Sequence, residues 1–152
     1  MVVPTDELDA CPFCRLDPQA PLVYEDELAI AMVPPDPINK YQVLVIPRRH
    51  YVDFVDIPDD LASHLFLLTK RLSQAVRDAC HPDGMTHISD DDITRCGLNM
   101  LSHYKIHIIP RFRDEHITID WAREGSPGQI VRKQRSDEIR AAYLAIVQAG
   151  RL

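Results

Sequence analysis

The chain has 152 residues, 45% of them apolar, which is the size of one compact domain with enough hydrophobic material for a core. A net charge of −6 supplies no positive footprint for polymeric DNA or RNA, and no run approaches the ~20 apolar residues that cross a bilayer. Residues 1–9 lack a basic segment followed by an apolar run, so the expectation is a cytoplasmic protein with no membrane partner.

In chain order, the first feature is Cys11-Pro12-Phe13-Cys14, two of four cysteines packed into one knuckle. That spacing fits a metal or redox role in a reducing compartment better than a disulfide scaffold. Leu22 to Glu25 and Leu28 to Val33 read as two short strands around an acidic turn at Asp26-Glu27, a hairpin. Pro34-Pro35-Asp36-Pro37 cannot hold regular structure, because proline fixes φ and removes donors. Val43-Leu44-Val45-Ile46 is apolar at every position, which suits a central strand buried on both faces, and Arg48-Arg49-His50 follows its exit at Pro47.

Asp59-Asp60 opens the clearest helix, with acidic groups where the first-turn amides favour them. Leu61, Leu65, Leu68, Leu72, Val76 and Ala79 form its apolar stripe, and His81-Pro82-Asp83-Gly84 stops it. His64 reads as a helix-surface or boundary residue. Met85 to Ile88 reads as a strand, followed by an acidic run, Asp90-Asp91-Asp92, taken as a solvated loop. Residues 121–135 read as a loop or linker, after which Ser136 caps a last helix with Ile139, Tyr143, Ile146 and Val147 inward and Gly150 past its end.

Between these lies His103-Tyr104-Lys105-Ile106-His107-Ile108-Ile109-Pro110-Arg111, which alternates as a strand. His103, Lys105 and His107 point one way, ~7 Å apart along the strand, and Tyr104, Ile106 and Ile108 point the other way into a core. Such a row of proton-handling groups suits an anion or phosphate. The bland alternative is a half-buried strand with a wet outer face.

Zinc takes four nitrogen or sulfur ligands, and a C-x-x-C turn supplies two thiolates. His50 and His103 lie at the end and the start of two strands that can be sheet neighbours, so Cys11, Cys14, His50 and His103 make a geometrically reasonable zinc site. A pair of buried thiols or a redox dithiol is the competing reading. Cys80 and Cys96 are not spaced as a second pair.

Together, Cys11-Pro-Phe-Cys14, Leu44-Val-Ile-Pro47 with Arg49-His50, and His103-x-Lys105-x-His107-Ile-Ile-Pro-Arg111 resemble the histidine-triad (HIT) superfamily of nucleotide hydrolases and transferases. The resemblance runs from about Cys11 to Trp121. It implies an α+β HIT-like fold over residues 1–152, with an antiparallel sheet of about five strands, one main helix and a C-terminal helix. A homodimer with nucleotide sites on the sheet is implied too, with a nucleotide or nucleoside phosphoramidate as small-molecule partner. In members with structural zinc, the ligand roles fall here on Cys11, Cys14, His50 and His103.

The resemblance also exposes departures. In the family the middle histidine of the triad attacks the α-phosphate; that position is Lys105. A lysine with an ordinary pKa near ~10.4 has only about one amine in 2,500 unprotonated at neutral pH, and pulling it to ~7 costs roughly 4–5 kcal/mol. The acidic ribose contact is Pro34, with Asp36 two places on as a substitute. The Gly-His pair before the central strand is Tyr41-Gln42, and upstream of the triad Asn99 stands for a glutamine and Met100 for a small hydroxyl residue. Asn99 and His107 are assigned to phosphate, and Tyr24, Ile30 and Met32 to a base face.

Three functions follow. Lys105 can bind phosphate as a fixed cation with weak or absent hydrolysis. It can act as the nucleophile of an active phosphoramidase or dinucleoside-polyphosphate-type hydrolase or nucleotidyltransferase, assisted by His107. Or the chain is a zinc-stabilised dimeric interaction module without nucleotide.

Overall fold

A computed structural model describes residues 11–91, 102–116 and 125–150. The chain divides into two units, Met1–Ile117 and Thr118–Leu152. Asn99, Met100, Cys96 and Trp121 lie outside the described residues.

Asp26 makes the first hairpin. Its Oδ1 accepts from the backbone N–H of Leu28 at 2.8 Å and Ala29 at 2.7 Å, the side-chain turn to which aspartate is suited. Strand β1, Leu22–Glu25, thereby pairs antiparallel with β2, Ala29–Met32. β3, Val43–Pro47, pairs with β2 on one side and with β5, Lys105–Arg111, on the other. β4, Gly84–Asp90, completes a five-stranded antiparallel sheet in the order β1-β2-β3-β5-β4. The α+β architecture expected from the sequence is therefore the one observed.

Helix α1, Asp59–Cys80, crosses one face of that sheet. Leu61, Leu65, Leu68, Leu72 and Val76 recur at helical spacing and pack on Ala29, Ala31, Val43, Val45, Tyr104, Ile106 and Ile108. His81 ends the helix by taking the left-handed conformation, φ 47°. Ala79, expected in the stripe, is exposed, because it falls in the last turn beyond the sheet contact. His64 is half-buried at the helix boundary, where its Nε2 lies 2.8 Å from Asp26 Oδ2 and ties the hairpin turn to α1.

Three other expectations change. β4 runs on through Asp90, which is buried opposite Lys105, so Asp90 is no part of a solvated loop. β5 is buried on both faces, which removes the wet-outer-face reading. In the second unit, α2 spans Gln129–Gln148, starting after Gly128, so residues 129–135 are helical and Ser136 lies inside the helix. Ile139, Tyr143, Ile146 and Val147 are exposed, Ile139 by 71%. No described helix is long and apolar enough to cross a membrane.

Candidate functional site

The sheet face opposite α1 carries every second residue of its central strands. Ile30, Met32, Leu44 and Ile46 form a second cluster with Phe13, Leu16, Ala20 and Leu22 from the N-terminal segment packed on it. Leu44 pairs with His107 across β3 and β5, so Lys105 and His107 stand in the same layer. Both are almost completely buried.

At the end of this face, four metal-ligand side chains meet. The knuckle closes because the Cys11 carbonyl accepts from the N–H groups of Cys14 and Arg15, both at 3.1 Å. On the sheet side, the Tyr104 N–H donates to the Tyr51 carbonyl at 2.6 Å, which brings the segment holding His50 against the start of β5. Cys11 Sγ is 3.3 Å from His103 Nδ1, and Cys14 Sγ is 3.2 Å from His50 Nδ1. All four donor atoms lie within 4.8 Å of one another. A tetrahedral zinc ion needs its sulfur and nitrogen ligands ~3.3–3.8 Å apart, so this donor set fits with small adjustments.

His103 Nε2 lies 3.0 Å from the Pro47 carbonyl, which can only accept, so the ring proton sits on Nε2 and the Nδ1 lone pair faces the sulfurs. Burial lowers the pKa of His103 to about 4, against the opposing pull of that carbonyl, and His50 and Lys105 lower it further. The imidazole is thus neutral and able to ligate. Burial, followed by the neighbouring Cys11, pushes the Cys14 thiol up to about 12. A divalent cation among the four would counter that, since metal-bound thiols ionise.

Lys105 sits two residues on. Its Nζ donates to the His103 carbonyl at 2.8 Å, lies 3.9 Å from Asp90 Oδ2, and stands 5.9 Å from the centre of the Phe13 ring. A carbonyl, a carboxylate and an aromatic face all favour an ammonium ion over a neutral amine. His107 faces the same carboxylate, with Nε2 3.7 Å from Asp90 Oδ2, while its Nδ1 is 2.9 Å from Gln42 Nε2. Burial lowers the pKa of His107 to about 4, with Asp90 opposing and Lys105 reinforcing the shift.

Beside this polar group lies a hollow of about 530 Å³, lined among others by Phe13, Leu16, Met32, Pro34, Asp36 and Leu44. Of the residues assigned to a base face, Met32 lines this hollow and Ile30 is buried one step along the same layer. Asp36 stands exposed at its rim. Tyr24 is elsewhere. A bulge between Leu22 and Tyr24 sets Tyr24 opposite Ala31, which turns it to the α1 side, where its hydroxyl donates to Asp26 at 2.9 Å. It cannot share a wall with Ile30 and Met32. Asn99 lies outside the described residues.

Sequence reasoning noted Gln42 at the family's Gly-His position and read Asp90 as part of a loop, and gave neither a role in the site. Gln42 is in phase with Leu44 and Ile46, and this alternation was the available signal for its place on the site face. Asp90 carried none, because an acidic triplet reads as solvent-facing. A hollow of similar size, about 540 Å³, lies between α1 and β4 on the other face and contains none of the predicted site residues.

The sheet order, the C-x-x-C knuckle and the His103-x-Lys105-x-His107 row leading into β5 define the class of α+β domain to which the chain belongs. The HIT domain model matches residues 16–114, and the chain belongs to the HIT family. It is 31% identical to Protein hit of Bacillus subtilis over 105 residues, 67% of this chain and 71% of that protein. Among solved structures it is similar to SMU.412c of Streptococcus mutans, with a TM-score of 0.76, 25% identity, and 88% of this chain and 85% of that one covered. It is also similar to a zinc-bound histidine triad family protein of Mycobacterium smegmatis, with a TM-score of 0.63, 25% identity, and 93% and 98% of the two chains covered.

Proposed function

We propose that this chain is a nucleotide-binding HIT protein in which Lys105 grips phosphate as a fixed cation and turnover is weak or absent. The observation that carries the reading is the surroundings of Lys105: its amine donates to a backbone carbonyl and faces the Asp90 carboxylate, partners that favour the charged form against the burial that opposes it. A charged amine has no lone pair with which to attack phosphorus. The neighbouring hollow, with Met32 and Leu44 as walls and Asp36 at the rim, supplies apolar surface for a base and one acceptor for a ribose hydroxyl.

Zinc is assigned a structural role on Cys11, Cys14, His50 and His103. The donor chemistry, the spacing of the four atoms and the zinc-bound relative support it. A closed set of four protein ligands leaves no open position for catalysis, so zinc would hold the N-terminal knuckle to the start of β5. The reading includes a homodimer, as the family resemblance implies, and one domain and a cytoplasmic location, as the length and hydropathy pattern of the sequence suggest.

The test is hydrolysis of an adenosine phosphoramidate by the parent, Lys105→Ala and Lys105→His proteins, with AMP binding measured by calorimetry. A silent parent that binds AMP, together with a Lys105→His variant that turns over, is the expected result. Turnover by the parent that disappears in Lys105→Ala would overturn the reading and make Lys105 the nucleophile.

A further inference from the structure

Gln42 is the polar side chain for which the proposed function has no use, although it is only 2% exposed. It precedes β3, and the turn before it is shaped around it. The Ile38 N–H donates to Gln42 Oε1 at 2.5 Å, and the Gln42 N–H donates to the Asn39 carbonyl at 3.5 Å. Tyr41 closes this turn in the left-handed conformation at φ 65°, a strained conformation for a non-glycine residue. The chain thus accepts backbone strain next to the glutamine.

The amide has one acceptor oxygen and one donor NH₂ group. An N–H can only donate, so the Ile38 contact fixes the oxygen toward the turn and leaves Nε2 facing His107 Nδ1 at 2.9 Å. Nδ1 must therefore accept. A neutral imidazole whose Nδ1 accepts carries its proton on Nε2, the atom 3.7 Å from Asp90 Oδ2. Lys105 Nζ lies 3.9 Å from that same oxygen. Two donors thus converge on one anionic oxygen, at separations longer than hydrogen bonds but short enough for strong electrostatic attraction.

We propose that Gln42 is a positioning residue that holds His107 with its proton on Nε2, so that the imidazole and Lys105 together present two donors to an anionic oxygen. In this state Nε2 has no lone pair to offer, and His107 cannot take a proton from an attacking group through that atom. The consequence for phosphate rests on the nucleotide reading above; the tautomer does not. Gln42 thereby favours phosphate oxygens as the ligand of this pair and disfavours His107 as a general base through Nε2.

The experiment is nitrogen-15 NMR of the histidine rings in the full, zinc-loaded chain, with the His107 signals identified by their absence in His107→Gln. The parent is expected to show the Nε2–H tautomer. Gln42→Leu, which removes the donor but keeps an apolar side chain of similar length, should give a mixture. Gln42→Glu, which replaces the donor by an acceptor, should move the proton to Nδ1. AMP affinity should fall about tenfold in Gln42→Glu, equivalent to about 1.4 kcal/mol. A parent with its proton on Nδ1, a tautomer unchanged in both variants, or equal AMP affinity of parent and Gln42→Glu would each overturn the proposal. A parent that binds no AMP while its tautomer follows residue 42 would remove the nucleotide reading and leave the role of Gln42 standing.

Discussion

The two faces of the sheet are built by the same strands and do opposite work. On the α1 side, Ala29, Ala31, Val43, Val45, Ile106 and Ile108 meet five apolar helix residues, and the layer is a core. On the other side, Ile30, Met32, Leu44 and Ile46 share their layer with Lys105, His107 and Gln42, and at its end four metal-ligand side chains meet. Both layers exclude water, but only one contains groups whose charge and protonation matter. A site next to a core thus requires only a strand whose odd and even residues differ in chemistry.

The sharpest way to break the contrast is to remove the metal. If zinc joins the knuckle to β5, a strong chelator should lower the melting temperature markedly; metal at a thousandfold excess over its Kd stabilises by about 4 kcal/mol. Cys14→Ser should show a similar loss without chelator, and calorimetric scans of both would check it. An unchanged melting temperature would count against the metal site. On the core face, Leu65→Ala should lose roughly 2–5 kcal/mol in urea unfolding, because α1 leaves a cavity against Ala31 and Val45. Its effect on AMP binding below the unfolding midpoint should be negligible. A binding loss as large as the stability loss would mean that the two faces are not separable.

Acid separates the faces by window. Burial depresses His107 to about 4, so between its unfolded value near ~6.5 and that value the unfolded chain takes up a proton that the folded chain does not. As pH falls across that interval, stability should drop by on the order of 3 kcal/mol in the parent, and by less in His107→Gln. On the opposite side, burial raises the Asp26 carboxyl, but the N–H groups of Ala29 and Leu28, the Tyr24 hydroxyl and His64 outweigh it and bring the value to about 2. That contribution is present above ~4 and lost as pH falls toward 2. Asp26 is partly open to solvent, so the slope removed by Asp26→Asn should be the smallest effect, below about 1 kcal/mol. Fluorescence-monitored unfolding at stepped pH would resolve both windows.

The sequence alone was enough for the parts of the protein that depend on period and spacing. The apolar run Val43 to Ile46, the alternation from His103 to Arg111 and the helical stripe from Leu61 to Val76 each specify an element and its buried face. Burial acts on side chains that strand and helix geometry has already sorted. The two halves of the Cys/His cluster were legible because a C-x-x-C pair and two histidines at the end and the start of neighbouring strands stand out in the sequence. The tertiary structure alone decided the rest. A one-residue bulge moved Tyr24 to the other face, strand pairing with Lys105 buried Asp90, and a strained turn at Tyr41 aimed Gln42 at His107. Which groups become neighbours depends on register and on backbone dihedrals far apart in the chain. Local periodicity carries no information about either.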